Sequence, residues 1–220
     1  MLKVERTQVY GWEAAIYGMR NPMNSWDKID SQYDVTAFWD EEMTLLAEAI
    51  PFIAGDNDLS LMKKLSKAGT DHRKFMRMII VTCDIIAPLY LYKELDTYKV
   101  GTVCNSCSTM HKIHAKAFTL DDFSHEHLTS SGLATLENIV YELNYWRARY
   151  LDSNDKNDWW QMIQLLPSSY NQRRTYQFNY EVLANIYHAR KNHRLDEWHT
   201  FCGWIESLPY SEIITGDDEK

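Results

Sequence analysis

Apolar positions recur at helical spacing along most of this chain, and only one stretch departs from that rhythm. Val9, Trp12, Ile16 and Met19 predict a first helix, capped by Thr7 and stopped at Asn21-Pro22. Val35, Phe38, Leu45, Leu46 and Ile50 predict a second, with Asp34 as its cap. The turn Gly55-Asp56-Asn57-Asp58 leads into a short helix that ends at Gly69. Helical spacing returns at Leu133, Leu136, Ile139, Val140, Leu143 and Trp146, behind Ser130-Ser131-Gly132. It returns again at Leu183, Ile186 and Tyr187, then at Leu195, Trp198, Cys202 and Ile205, with a break near Asn192. The exception runs from Phe75 to Ile86, where β-branched and aromatic residues suit a half-buried strand, and Pro88 suits the first turn of the helix that follows. Residues 152–158 read as a polar surface loop and residues 211–220 as a mobile tail. The expected fold class is helix-rich α+β: a single domain over residues 1–220 with a small mixed β-sheet.

Behind that strand the chain turns polar. Lys99, Gly101, Thr102, Asn105, Ser106, Ser108 and His111 bring backbone N–H groups, hydroxyls, an amide and a positive charge within a short segment. These groups are suited to gripping a phosphate or the edge of a pyrimidine. The formal net charge of −8 opposes a broad phosphate-tracking surface and excludes long nucleic acid as a partner, while one phosphate needs only a local cluster. Arg173, Arg174, Arg190, Arg194 and Lys99 are enough basic groups for that. No apolar run is long enough to cross a membrane, and the first residues carry no apolar signal core, so the expected location is the cytoplasm.

Other clusters read as ordinary surface or core. Cys104, Cys107, His111 and His114 lie too close together in sequence for the usual tetrahedral zinc arrangement, so no metal is expected. His125-Glu126-His127 reads as surface. Eight tryptophans and fourteen tyrosines read first as core or subunit interface, with Tyr98 and Tyr170 the best placed to stack on a ligand. No Ser-His-Asp order, P-loop or dinucleotide-binding glycine pattern is present, and no catalytic side chain is assigned.

The polar segment resembles the signature of the flavin-dependent thymidylate synthases: Arg-His-Arg, two residues, Ser, one residue, Asn-Glu, one residue, Ser, one residue, Arg-Tyr. The triplet falls on Thr97, Tyr98 and Lys99, and the first serine on Thr102. With one inserted residue, Asn-Glu falls on Asn105-Ser106, the second serine on Ser108 and Arg-Tyr on Met110-His111. A second block, Leu166 to Arg190, resembles the C-terminal helix of that family, with Asn179, Asn185 and Arg190 on matching positions and Glu181 where the family has an arginine. Asn192 to Trp198 resembles the family's His-Ala-Gln-Trp-Glu stretch with a shift of one residue.

The resemblance implies a thymidylate synthase-complementing protein-like fold. It also implies FAD, held by His72, Lys99, Thr102, Asn105, Asn179 and Asn185, and a pyrimidine nucleotide held by Ser108 and Arg190 with Arg173 and Arg174. The activity implied is transfer of a one-carbon unit from methylenetetrahydrofolate to C5 of deoxyuridine monophosphate, with NADPH, in a homotetramer whose active sites form where subunits meet. Two arginines of the opening triplet, the glutamate and the closing arginine are absent. The alternatives are therefore a homologue that binds a nucleotide or another cofactor without making thymidylate, and a structural or regulatory interaction protein. Arg173-Arg174 keeps two readings, phosphate binding or pairing with acidic residues across a subunit boundary.

Overall fold

A computed structural model of the chain describes residues 2–34 and 51–216. The helix expected at residues 35–50 lies outside the described residues.

In chain order the elements are strand β1 (Lys3–Tyr10), helix α1 (Trp12–Arg20), strands β2 (Gln32–Tyr33) and β3 (Phe52–Ile53), and helix α2 (Asp56–Lys67). A 3-10 turn (Arg73–Arg77) precedes β4 (Ile80–Pro88) and α3 (Leu89–Leu95), followed by β5 (Val103–Ser106) and α4 (Thr109–Lys112). Then come α5 (Ser130–Ser153), α6 (Lys156–Leu165), β6 (Asn171–Asn179), α7 (Tyr180–Arg190), α8 (Asp196–Glu206) and α9 (Glu212–Thr215). The fold is helix-rich α+β. Four strands pair in the order β1-β4-β6-β5, and β2 and β3 form a separate antiparallel pair. Position in the sheet matches burial: β4 is covered on both faces, whereas most of the edge strand β1 is exposed.

Several local expectations change. The chain opens with a strand through Tyr10, and α1 starts only at Trp12, so Thr7 is not a helix cap. Gly11 makes the abrupt change of direction possible. Its φ is +89°, and a Cβ there would stand 2.1 Å from the carbonyl oxygen of Met78. Phe75 and Met76 are buried neighbours in the 3-10 turn, and the strand begins five residues later than expected, at Ile80. A strand covered on both faces shows runs of buried positions with no alternation, so the pattern alone does not mark its start and the ladder partners define it. The loop expected at residues 152–158 shrinks to Asn154 and Asp155. Asn154 ends α5 in the left-handed conformation (φ 54°), and Asp155 accepts a hydrogen bond from the Asn157 N–H to start α6. The stretch expected as a tail contributes α9, where Ile213 and Ile214 are buried, and its last four residues lie outside the described ones. The break near Asn192 is real, since it separates α7 from α8.

The chain packs as two compact units. The first comprises Met1–Thr7, Thr82–Gln177 and Arg194–Phe201; the second comprises Gln8–Val81, Phe178–His193 and Cys202–Lys220. In the first, Phe118, Phe123, Leu136, Leu143 and Met162 form a core against which Trp146, Tyr150, Trp159 and Tyr170 pack. In the second, Trp12 stacks on Phe52 with centroids 5.1 Å apart and meets Tyr180 and Tyr210 edge-on, each at 5.3 Å. These aromatics are core, and their polar ends are satisfied: the Tyr180 hydroxyl donates to the Pro209 carbonyl at 2.6 Å.

Candidate functional site

In the first unit, β5 and β6 run antiparallel, with Cys104 opposite Tyr176 and Ser106 opposite Arg174. The block expected to be entirely helical is thus a strand up to Asn179 and a helix only from Tyr180. Alternation along β6 sends neighbouring side chains to opposite faces, so Arg173 and Arg174 cannot act as a pair. Arg174 is built into the scaffold. Its guanidinium lies 3.8 Å from the Tyr92 ring centroid, donates to both carboxylate oxygens of Asp96 at 2.9 and 3.1 Å, and donates through Nε to Gln172 at 2.8 Å. Arg173 points the other way. It donates to Asp84 at 3.0 Å and to Glu5 at 2.9 Å, and its side chain stays 43% exposed. All three acidic partners, Asp84, Glu5 and Asp96, lie in the same chain, so Arg173 and Arg174 are ion-paired without a second subunit.

Asp84 is the anchor of this arrangement. The Thr175 hydroxyl donates to it at 2.7 Å, and that bond, helped by Arg6 and Arg173 against the opposing effect of burial, holds the carboxyl below its ordinary range.

Beyond Ser106 the chain turns. The Cys107 N–H donates to the Arg173 carbonyl at 3.0 Å, the buried Gln172 amide donates back to the Cys107 carbonyl at 2.6 Å, and the Ser108 hydroxyl caps α4 by accepting from the His111 N–H at 3.1 Å. These contacts shape a cleft of about 320 Å³ whose walls include Ser108, Thr109, Lys112, Tyr170, Gln172 and Arg173. Ser108 and Arg173, far apart in sequence, meet there. Lys112 and Gln172 escape a reading of the sequence, because nothing in periodicity marks which residues of a short helix and a strand face the same hollow. Lys99, Thr102 and Asn105 precede the cleft. Lys99 and Asn105 are exposed, and the Thr102 hydroxyl oxygen is buried with no hydrogen-bond partner among the described residues.

The second unit carries the remaining candidates. Asn179 caps α7 through its amide oxygen, which accepts from the Val182 N–H at 3.0 Å. Glu181 sits in the first helical turn, where the helix dipole favours a carboxylate. Arg77 grips it through Nε and Nη2, and Arg73 Nε reaches it at 3.4 Å. Burial alone would raise the Glu181 carboxyl, but the bonds and charges of Arg77 and Arg73 outweigh it and hold the group below its ordinary range. Arg73 also donates to Asn185 at 3.2 Å, one helical turn further on. The exposed His72 immediately precedes Arg73, and Arg190 lies in the last turn of α7. Arg73 and Arg77 were not singled out by the sequence, although their spacing of four beside His72 is a visible signal.

Other clusters stay separate. Cys104 and Cys107 are exposed free thiols, and among the described residues no three His, Cys, Asp or Glu side chains gather as a metal site. His127 lies 3.1 Å from Asp196. Tyr98 packs edge-on against Trp198, which is fully buried and donates through Nε1 to Glu94 at 2.9 Å; its neighbour Glu197 accepts from the Tyr90 hydroxyl. No helix among the described residues is long and apolar enough to cross a membrane.

Comparison with known proteins gives a fold. No protein-family model and no curated protein matches the sequence. Among solved structures, thymidylate synthase X from Helicobacter pylori, determined with FAD and dUMP, is similar over 97% of this chain and 96% of its own, at a TM-score of 0.66 and 15% identity. A second structure of the H. pylori flavin-dependent enzyme with FAD and dUMP covers 96% of each chain at a TM-score of 0.64 and 15% identity. A UMP/dUMP methylase, PolB, from Streptomyces cacaoi bound with 5-Br dUMP covers 98% of this chain and 94% of its own, at a TM-score of 0.63 and 12% identity. This chain has the fold of those enzymes.

Proposed function

We propose that this protein binds a pyrimidine nucleotide of the dUMP type, with its phosphate in the Ser108 cleft, and methylates C5 of the base with the help of FAD. One observation carries the reading: Ser108 and Arg173, both expected on the nucleotide side, line a single cleft together with Lys112 and Gln172. The neighbours of the same fold were crystallised with dUMP or its bromo analogue. In this reading Lys112 and Arg173 attract the phosphate and Ser108 orients it, while Gln172, its amide spent on Cys107 and Arg174, shapes the wall.

The residues expected around FAD divide between the two units. Lys99, Thr102 and Asn105 offer an ammonium, an unpartnered buried hydroxyl and an exposed amide, and His72 and Asn185 offer an imidazole and an amide beside Arg73. Within the second unit, His72, Arg73 and Asn185 fit a flavin diphosphate, and in that role Arg73 supplies from the 3-10 turn the guanidinium that α7 lacks at Glu181. When bound, the flavin would supply the electron transfer that one-carbon transfer to C5 requires. His72, Arg73 and Asn185 would hold its diphosphate. We read the assembly as a homo-oligomer by the same analogy, and the setting as dTMP biosynthesis.

A second reading has its own support. Arg174 is fully engaged with Asp96 and Tyr92, Arg173 shares its charge with Asp84 and Glu5, and Glu181 is acidic where the family is basic. A nucleotide-binding homologue without methylation follows from that.

Calorimetric titration of dUMP and FAD into the purified chain separates the readings. Binding of both, with dUMP affinity reduced about tenfold or more in Lys112→Gln, supports the first, since one charge-assisted contact is worth roughly 1.5–3 kcal/mol. Binding of dUMP without FAD favours the second, and binding of neither removes both.

A further inference from the structure

Helix α4 has a hollow on each side. Ser108, Thr109 and Lys112 line the one described above, while Met110, His111 and His114 line another, of about 310 Å³. Its far wall is the α5–α6 hairpin, which contributes Tyr150, Asn154, Lys156 and Trp159.

This second cleft is rigid and basic. The Trp159 indole N–H donates to the Met110 carbonyl at 3.1 Å, and the Tyr150 ring meets His114 edge-on at 4.9 Å, so both aromatic walls are fixed. The tight connection at Asn154 and Asp155 sets Lys156 at the start of α6. No carboxylate among the described residues lines the cleft. The two nearest in sequence are engaged elsewhere, Asp155 in capping α6 and Asp158 with Arg149 and Ser153.

Apart from the Trp159 N–H, most of its polar side chains have no protein partner. Among the described residues the side chains of His111, His114, Asn154 and Lys156 make no hydrogen bond or ion pair, and His114 Nδ1 is wholly covered from solvent without one. His111, Asn154 and Lys156 stand exposed around one hollow with their side-chain donors unspent, which leaves those donors to a ligand that enters it. An ammonium, two imidazoles and an amide suit an acidic group, and an indole and a phenol suit a flat ring.

We infer that this cleft is a second binding site, for a small anion carrying a flat ring: the ring rests on Trp159 and Tyr150, and the acidic group meets Lys156, Asn154 and the imidazoles. It is separate from the nucleotide cleft and does not rest on the function proposed above.

The test uses the intact chain and phenyl phosphate, with inorganic phosphate and benzyl alcohol as half-probes, read by calorimetry and by the imidazole NMR signals of His111 and His114. Saturable binding of phenyl phosphate that shifts both signals is expected, with each half-probe about tenfold weaker or worse. Lys156 is exposed, so Lys156→Gln leaves the fold intact; it should weaken the binding reported by the two imidazole signals about tenfold, whereas Lys112→Gln, in the other cleft, should leave the imidazole response unchanged even where calorimetry loses a second, Lys112-dependent event. Imidazole signals that do not move, a response unaltered in Lys156→Gln, or one lost in Lys112→Gln instead, would each overturn the assignment.

Discussion

Two arginine–carboxylate pairs in the second unit use the same chemistry in different surroundings. Arg20 and Asp58 are sealed in, at 4% and 0% side-chain exposure, with guanidinium nitrogens 2.6 and 2.7 Å from one carboxylate oxygen. The other Asp58 oxygen accepts from the Ser31 hydroxyl at 2.7 Å and from the Asp30 and Ser31 N–H groups at 3.0 Å. Glu181 is nearly as covered, at 10%, but Arg77, which grips it, is 52% exposed. The first pair has both carboxylate oxygens accepting bonds and no approach from solvent, although Arg20 Nη2 is buried with only the ion contact and no hydrogen bond. In the second, one partner can exchange its carboxylate for another anion without crossing the interior. Exposure of the arginine, more than the presence of an ion pair, separates scaffold from site.

The contrast can be broken experimentally, most strongly at Asp58. Asp58→Ala leaves a buried guanidinium without a counter-charge and should cost roughly 3–5 kcal/mol in urea denaturation. A loss below about 1 kcal/mol would show that Arg20 finds water, and the distinction would fall. Glu181→Gln should cost only about 1–2 kcal/mol, because Arg77 remains hydrated. The same variant frees two arginines, so it should tighten FAD or phosphate binding if the outer pair belongs to a site.

Acid titration sharpens the same comparison. Both carboxyls titrate lower in the fold than their reference values of 3.8 and 4.5. For Asp58, burial pushes upward but the bonds from Ser31, Arg20 and Asp30 prevail, as those from Arg77 and Arg73 do at Glu181. A depressed carboxyl contributes stability above its unfolded value and loses it as pH falls through the folded one. Stability should therefore hold above about pH 4.5 and decline below it, with Glu181→Gln flattening only part of the decline. An unchanged acid limb in Glu181→Gln would mean that the outer pair contributes nothing. The smallest effect is expected at Asn179→Ala, about 1 kcal/mol in the same denaturation, from the lost cap of α7. A larger loss with weaker FAD binding would add Asn179 to the ligand contacts.

Much of this was legible in the chain. Helical spacing from Leu133 to Trp146 located α5, and Gly69 and Asn192 marked real interruptions. The resemblance pointed to a fold that full-length structural similarity supplies at 15% identity. Less legible was where strands begin. Residues 171–179 read as helix because Asn179, Asn185 and Arg190 keep their spacing in either conformation, and a strand is stabilised by partners that lie elsewhere in the sequence. The Arg173-Arg174 pair was visible, but its division between a cleft and the Tyr92 ring was not.

The sequence by itself determined which residue types were available: a polar segment after a buried strand, arginines near the C-terminal block, and enough aromatic surface for a large core. Periodicity and turn chemistry are local and survive in a linear reading. Only the tertiary structure decided that Ser108 shares a hollow with Arg173, that Arg174 serves Asp96, and that Glu181 is held by arginines about a hundred residues earlier. Such pairings depend on which distant groups are desolvated together, a quantity that exists only once the chain has packed.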